Sequence, residues 1–144
     1  MIDIRVQAEA FDPAAELTQL GPAGAISSFV GSVRADGDVV ALEIERFAGM
    51  TESALRAIAA EAGSRWPVQA LTIVHRFGKL MVGEQIVFVG AASAHRTAAL
   101  ECPAFIVDRL KVAAPFWKKE HFADGGSRWV EACHGDEKAA ARWN

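Results

Sequence analysis

"ALTIVHRFGKLMVGEQIVFVGAA", residues 70–92, contains two runs rich in Val, Ile and Phe, separated by the short stretch "KLMVG". Each run is too short for a typical helix and is rich in residues that favour strands. The pair therefore reads as two strands with a turn between them. Upstream, "IDIRVQA" alternates apolar and polar residues as a half-buried strand does, and "FDPAAELTQL" reads as a short helix ending before Gly21-Pro22. "GAISSFVGSVR" and "VVALEIERF" are two further strands, and the Asp36-Gly37 pair between them predicts a hairpin. From Thr51 to about Arg65, apolar residues at Ala54, Leu55, Ile58, Ala59 and Ala62 line one helical face.

Downstream of the opening stretch, a second long helix is expected to begin at Ser93 and stop near Ala114, because Pro115 disfavours helical geometry before it. Pro103 should bend that helix or break it in two. "FWKKEHF" and "SRWVEA" read as a last pair of short strands around "ADGG", and "DEKAAARW" as a closing helix. Strands and helices follow no regular βαβ alternation. The expected fold is α+β: a single domain over residues 1–144, with a mixed, mostly antiparallel sheet and two main helices.

A net charge of −3 argues against a nucleic-acid-binding domain, which needs a strongly basic surface. "MIDIRVQAEA" alternates like a strand and lacks the pattern of a secretory signal, and "IVFVGAA" is far too short to span a bilayer. Cys102 and Cys133 have no CxxC spacing, so they read as reduced thiols in a cytoplasmic protein. His75 and His121 have no metal-type spacing, and His75 reads as a hydrogen-bonded strand residue. Glu43 and Glu45 read as a solvated stripe. No GxSxG, HExxH or phosphate-cradling glycine loop is present.

The unusual charges lie at the two ends of the second long helix. With Ser93 as N-cap, His95 and Arg96 would fall in the first turn, where the dipole disfavours cations but where free N–H groups bind anions. Either they form an anion site or they simply face solvent. At the other end, "LKVAAPFWKKE", residues 110–120, sets Lys111, Lys118 and Lys119 around a Phe-Trp pair that looks buried. Lys118 and Lys119 are neighbours on a strand and must face opposite ways. One of them faces a cleft or packed side, and the other is exposed.

"SSFVGSVR", "RFAGMTESAL", "RWPVQALTIVHRFGKLMVGEQIVFVGAASAHRTAALE" and "DRLKVAAPFWKKE…RWVEA" together resemble the catalytic (large) subunit of molybdopterin synthase. The resemblance runs from about Gly24 to Trp143. It implies an α/β-hammerhead-like fold and a sulfurtransferase of molybdenum cofactor biosynthesis. Such an enzyme converts cyclic pyranopterin monophosphate (precursor Z) to molybdopterin by building its dithiolene. The sulfur would come from the C-terminal thiocarboxylate of a small ubiquitin-like carrier with a Gly-Gly tail. By motif, the resemblance implies Lys111 and Lys118 as catalytic residues and Arg34, His95 and Arg96 as substrate-binding, with Arg128 a further anion contact. It implies no metal and no resident cofactor. Two departures stand out, the short "RADGDVV" connection after Arg34 and Pro103 within the helix.

The implied chemistry suits these residue types. A cyclic phosphate and a thiocarboxylate must be desolvated side by side, which calls for fixed cations. Arginine offers a bidentate fork for phosphate, and lysine a compact charge whose pKa falls on burial. Phe116 and Trp117 would wall off water, stack on the pterin or pack the core. Arg96 and Lys111 are fifteen residues apart, roughly 22 Å along a helix. One small substrate cannot reach both within one chain. A homodimer with two shared sites, each taking one carrier, makes a heterotetramer the expected assembly. A non-catalytic anion- or pterin-binding module of the same fold is the alternative reading.

Overall fold

The computed structural model describes residues 1–130 and 134–144. Eight strands and four helices follow in the order β1 (Ile2–Gln7), α1 (Pro13–Leu20), β2 (Ala25–Ser32), β3 (Val39–Arg46), α2 (Met50–Arg65), β4 (Val68–Arg76), β5 (Gly78–Met81), β6 (Gln85–Ser93), α3 (Arg96–Ala113), β7 (Phe116–Phe122), β8 (Ser127–Trp129) and α4 (His134–Ala141). The class is α+β, and α2 and α3 are the two main helices. The strands divide between two four-stranded sheets, β1-β4-β6-β2 and β5-β3-β7-β8. Only β1 and β4 pair in parallel among the described strands. No helix among the described residues is long and apolar enough to cross a membrane.

The hairpin expected across Asp36-Gly37 does not form. The turn itself is present, with Gly37 at φ 59° and the Val39 N–H donating to the Asp36 carbonyl at 3.2 Å. The flanking strands then part, β2 pairing with β6 at the edge of one sheet and β3 lying between β5 and β7 in the other. A turn signal is local, whereas pairing follows burial. Ala41 and Ile44 on β3 are almost fully buried, which a central strand position allows. "KLMVG" likewise holds more than a turn, because β5 pairs with β3 and buries Leu80 beside Ile44 and Val33.

Ser93 does not cap α3. It ends β6 as a buried residue whose Oγ donates to the Pro67 carbonyl at 2.8 Å, so His95 becomes the N-cap. Pro103 does not break the helix, which runs 18 residues without interruption. Pro103 is buried, and its missing N–H costs the helix one hydrogen bond to Ala99.

The main core lies between α2, α3 and the first sheet. Leu55, Leu71, Ile73, Val89 and Phe105 are essentially inaccessible, and each such side chain contributes about 1.5–3 kcal/mol of burial. The C-terminus is held by the same core. Trp143 meets Phe105 and Trp66 edge-on at 5.7 and 5.5 Å, and its Nε1 donates to Asp108 Oδ2 at 2.7 Å.

A buried polar contact helps tie this core to the second sheet. Thr51 is fully buried. Its hydroxyl donates to the Pro115 carbonyl at 2.9 Å and accepts from the Phe47 N–H at 3.0 Å. Thr51→Val keeps the volume but strands both backbone groups. Denaturant unfolding should show a loss of about 1–3 kcal/mol; an unchanged midpoint would show that the bond contributes nothing.

Candidate active site

Pro115 ends α3 and β7 begins at the next residue, so Lys111 in the last helical turn and Lys118 on the strand are brought to one place. Between them opens a cavity of about 700 Å³. Its wall takes His75 from β4, Arg34 from the segment after β2, Phe116 and Trp117 from β7, and Asp136 from α4.

Alternation along β7 settles the lysine pair. Lys118 faces the cavity, whereas Lys119 lies on the other side with its Nζ 5.2 Å from the centre of the Trp129 ring. Burial lowers the Lys118 ammonium to about 8, helped by repulsion from Lys111 and partly offset by Asp136. An amine with that value exchanges a proton readily near neutral pH.

The cavity is less uniformly cationic than the sequence suggests. Asp36 pairs with Arg34 at 3.5 Å, and Glu120, also in the wall, pairs with Arg128 at 2.8 Å. Arg34 is 83% exposed, so its guanidinium stands at the mouth. Arg128 lies outside the cavity wall, held by Glu120 and 5.6 Å from the Phe122 ring. His95 and Arg96 are also outside it, exposed at the opposite end of α3. The structure thus gathers Arg34, Lys111 and Lys118 and leaves His95, Arg96 and Arg128 apart.

The aromatic pair also divides. Phe116 is half-buried and stacks face-on against His75, with centroids 3.8 Å apart and planes at 18°. Trp117, expected to be buried, is 55% exposed and meets Phe47 and Trp129 edge-on. Sequence reasoning missed Asp136, which carries no local signal, and missed that His75 reaches the cavity. His121, unassigned from sequence, bonds Glu43 at 2.8 Å, so Glu43 is no mere solvated residue. Burial pushes the Cys102 thiol up to about 11, which keeps it a protonated core residue. Cys133 and the side chain of His134 lie outside the described residues. Among the described residues no three His, Cys, Asp or Glu side chains group to hold a metal ion.

Residues 6–113 match the family described as MoaE protein. The chain belongs to that family. A relative from Pseudomonas aeruginosa, described as a molybdopterin synthase catalytic subunit, is 53% identical over 97% of each chain. One of the same description from Escherichia coli is 51% identical over 83% of this chain and 81% of its own. Among solved structures, the MoaE protein from Burkholderia ambifaria superposes with a TM-score of 0.85 at 48% identity, covering 99% of this chain and 98% of that one. A molybdopterin synthase structure from Staphylococcus aureus gives 0.80 at 30% identity, over 88% and 95% of the two chains.

The lowered Lys118 value has a consequence for stability. Below pH 8 the folded protein holds this ammonium under a penalty that the unfolded chain escapes; above 10.5 both states are neutral. Lys118→Met should therefore raise the melting temperature most at pH 7 and below, with the gain vanishing towards pH 10.5. A gain independent of pH would contradict the assigned cause.

Proposed function

We propose that this MoaE chain is the sulfur-transferring subunit of a molybdopterin synthase. It takes sulfur from the thiocarboxylated Gly-Gly terminus of a small ubiquitin-like carrier and delivers it to cyclic pyranopterin monophosphate. The observation that carries the reading is the half-buried Lys118 ammonium beside Lys111 in a cavity of about 700 Å³. Such a pair offsets the charge of a desolvated thiocarboxylate, and Lys118, with a value near 8, can also move a proton. Arg34 at the mouth suits the phosphate, for which it would exchange its ion pair with Asp36.

His95 and Arg96 are assigned to the same event from a second copy of this chain. The unbroken α3 holds them about 22 Å from Lys111, and a two-fold interface brings one chain's helix start towards the other's helix end. Two such sites with one carrier each make a heterotetramer. Sulfur arrives on the carrier, so we assign the reaction no resident cofactor or metal. A cytoplasmic location fits the reduced state read for the thiols.

The test is reconstitution with thiocarboxylated carrier and precursor Z, followed by assay of dithiolene product. Lys111→Ala and Lys118→Ala should each lose at least about a hundredfold in turnover, as loss of a charge-stabilising or proton-transferring group does. Lys119→Ala should stay within a few-fold of wild type. Pterin binding without any product from the wild-type mixture would instead favour the binding-module reading.

A further inference from the structure

His75 lies in the cavity wall yet does not have the chemistry of an anion ligand. Its side chain is buried, 5% exposed, and its Nδ1 sits 2.8 Å from the Arg76 carbonyl oxygen. A carbonyl can only accept, so Nδ1 carries the proton. The face-on stack with Phe116 fixes the ring plane. Nε2 therefore remains as a lone-pair acceptor on an immobile ring, and it has no hydrogen-bond partner among the described residues.

We propose that His75 is a specificity-determining residue whose Nε2 accepts a hydrogen bond from an N–H donor of the heterocyclic substrate. This rests on the pterin reading of the cavity and deepens it. The lining then has two kinds of recognition. Lys111, Lys118 and Arg34 take anionic groups, whereas the His75–Phe116 unit presents one acceptor beside an aromatic wall to the flat, donor-rich ring.

For Nε2 to donate to phosphate, the imidazole would have to be doubly protonated, since Nδ1–H is already committed. Burial and the two lysines oppose this, holding the imidazole down at about 3. His75 is therefore a neutral acceptor across the range in which the enzyme works, and a phosphate oxygen placed against Nε2 would be repelled. A site that satisfies a substrate N–H with a fixed acceptor discriminates strongly, because a bound analogue lacking the donor shuts water away from the Nε2 lone pair and leaves it unpaired.

Two substitutions separate the ring's packing from its acceptor. His75→Phe keeps an aromatic against Phe116 and removes the acceptor; His75→Gln places a carbonyl oxygen near the Nε2 position and removes the stack. Anaerobic calorimetry with cyclic pyranopterin monophosphate, without carrier, should show affinity falling about tenfold or more in His75→Phe and partly recovering in His75→Gln. In turnover the loss should fall on KM, with kcat changed much less. Inorganic phosphate should bind both variants as it binds wild type.

A measurement on the unmutated protein covers the case of a variant that fails to fold. In nitrogen-15 spectra of labelled histidine, adding the pterin should move the Nε2 resonance upfield and leave Nδ1 in place. Wild-type affinity in His75→Phe, or an Nε2 resonance that ignores bound pterin, overturns the proposal while the sulfurtransferase reading stands. Wild-type protein that neither binds nor converts the pterin overturns both.

Discussion

The bond from the Thr51 hydroxyl to the Pro115 carbonyl, with the His75–Phe116 stack beside it, fixes where the chain leaves α3 and enters β7. Thr51 belongs to α2 and His75 to β4, so the first sheet and its helices grip the first residues of a strand in the second sheet. The site depends on that grip. Lys111 is three residues before Ala114, Lys118 two residues after Phe116, and a shift of the junction would separate the amines or flip Lys118 to the Lys119 side. Proline suits the junction because it stops the helix without further devices.

Electrostatics at the junction are arranged for exchange. Asp36 and Glu120 are engaged by Arg34 and Arg128, and Asp136 holds up part of the Lys118 value that burial and Lys111 bring down. An incoming anion would meet one ammonium in a partly desolvated wall and another next to it, where attraction exceeds that at a solvated surface. Lys118 is held charged at a cost to folding, as functional sites commonly are.

Most of the secondary structure was legible because its signals are periodic and local. The apolar face of α2 and the alternation of β1 read directly, as did the Pro115 stop. What failed were inferences from a local cue to a distant partner. Asp36-Gly37 made a turn but no hairpin, since burial of β3 between two neighbours outweighed it. Ser93 had a cap's chemistry, yet its hydroxyl was taken by Pro67 across the sheet. Of the site, the opposite facing of Lys118 and Lys119 followed from strand parity, the choice of Lys118 from the family resemblance, and the separation of Arg96 from Lys111 from helical rise. His75 and Asp136 could not be placed so, because they enter the cavity from elements far away in sequence. Trp117 was misjudged because aromatic bulk alone does not distinguish core from an exposed edge-to-face cluster.

An uninterrupted α3 is what the proposed division of labour between two chains rests on, and complementation between inactive chains tests it most directly. Arg96→Ala protein and Lys111→Ala protein, each inactive alone, are mixed under conditions of verified subunit exchange and supplied with carrier and pterin. A shared site predicts that each hybrid dimer regains one intact site of its two, so activity appears on mixing. Absence of activity, with hybrid dimers demonstrated, would place the whole site within one chain and contradict the account.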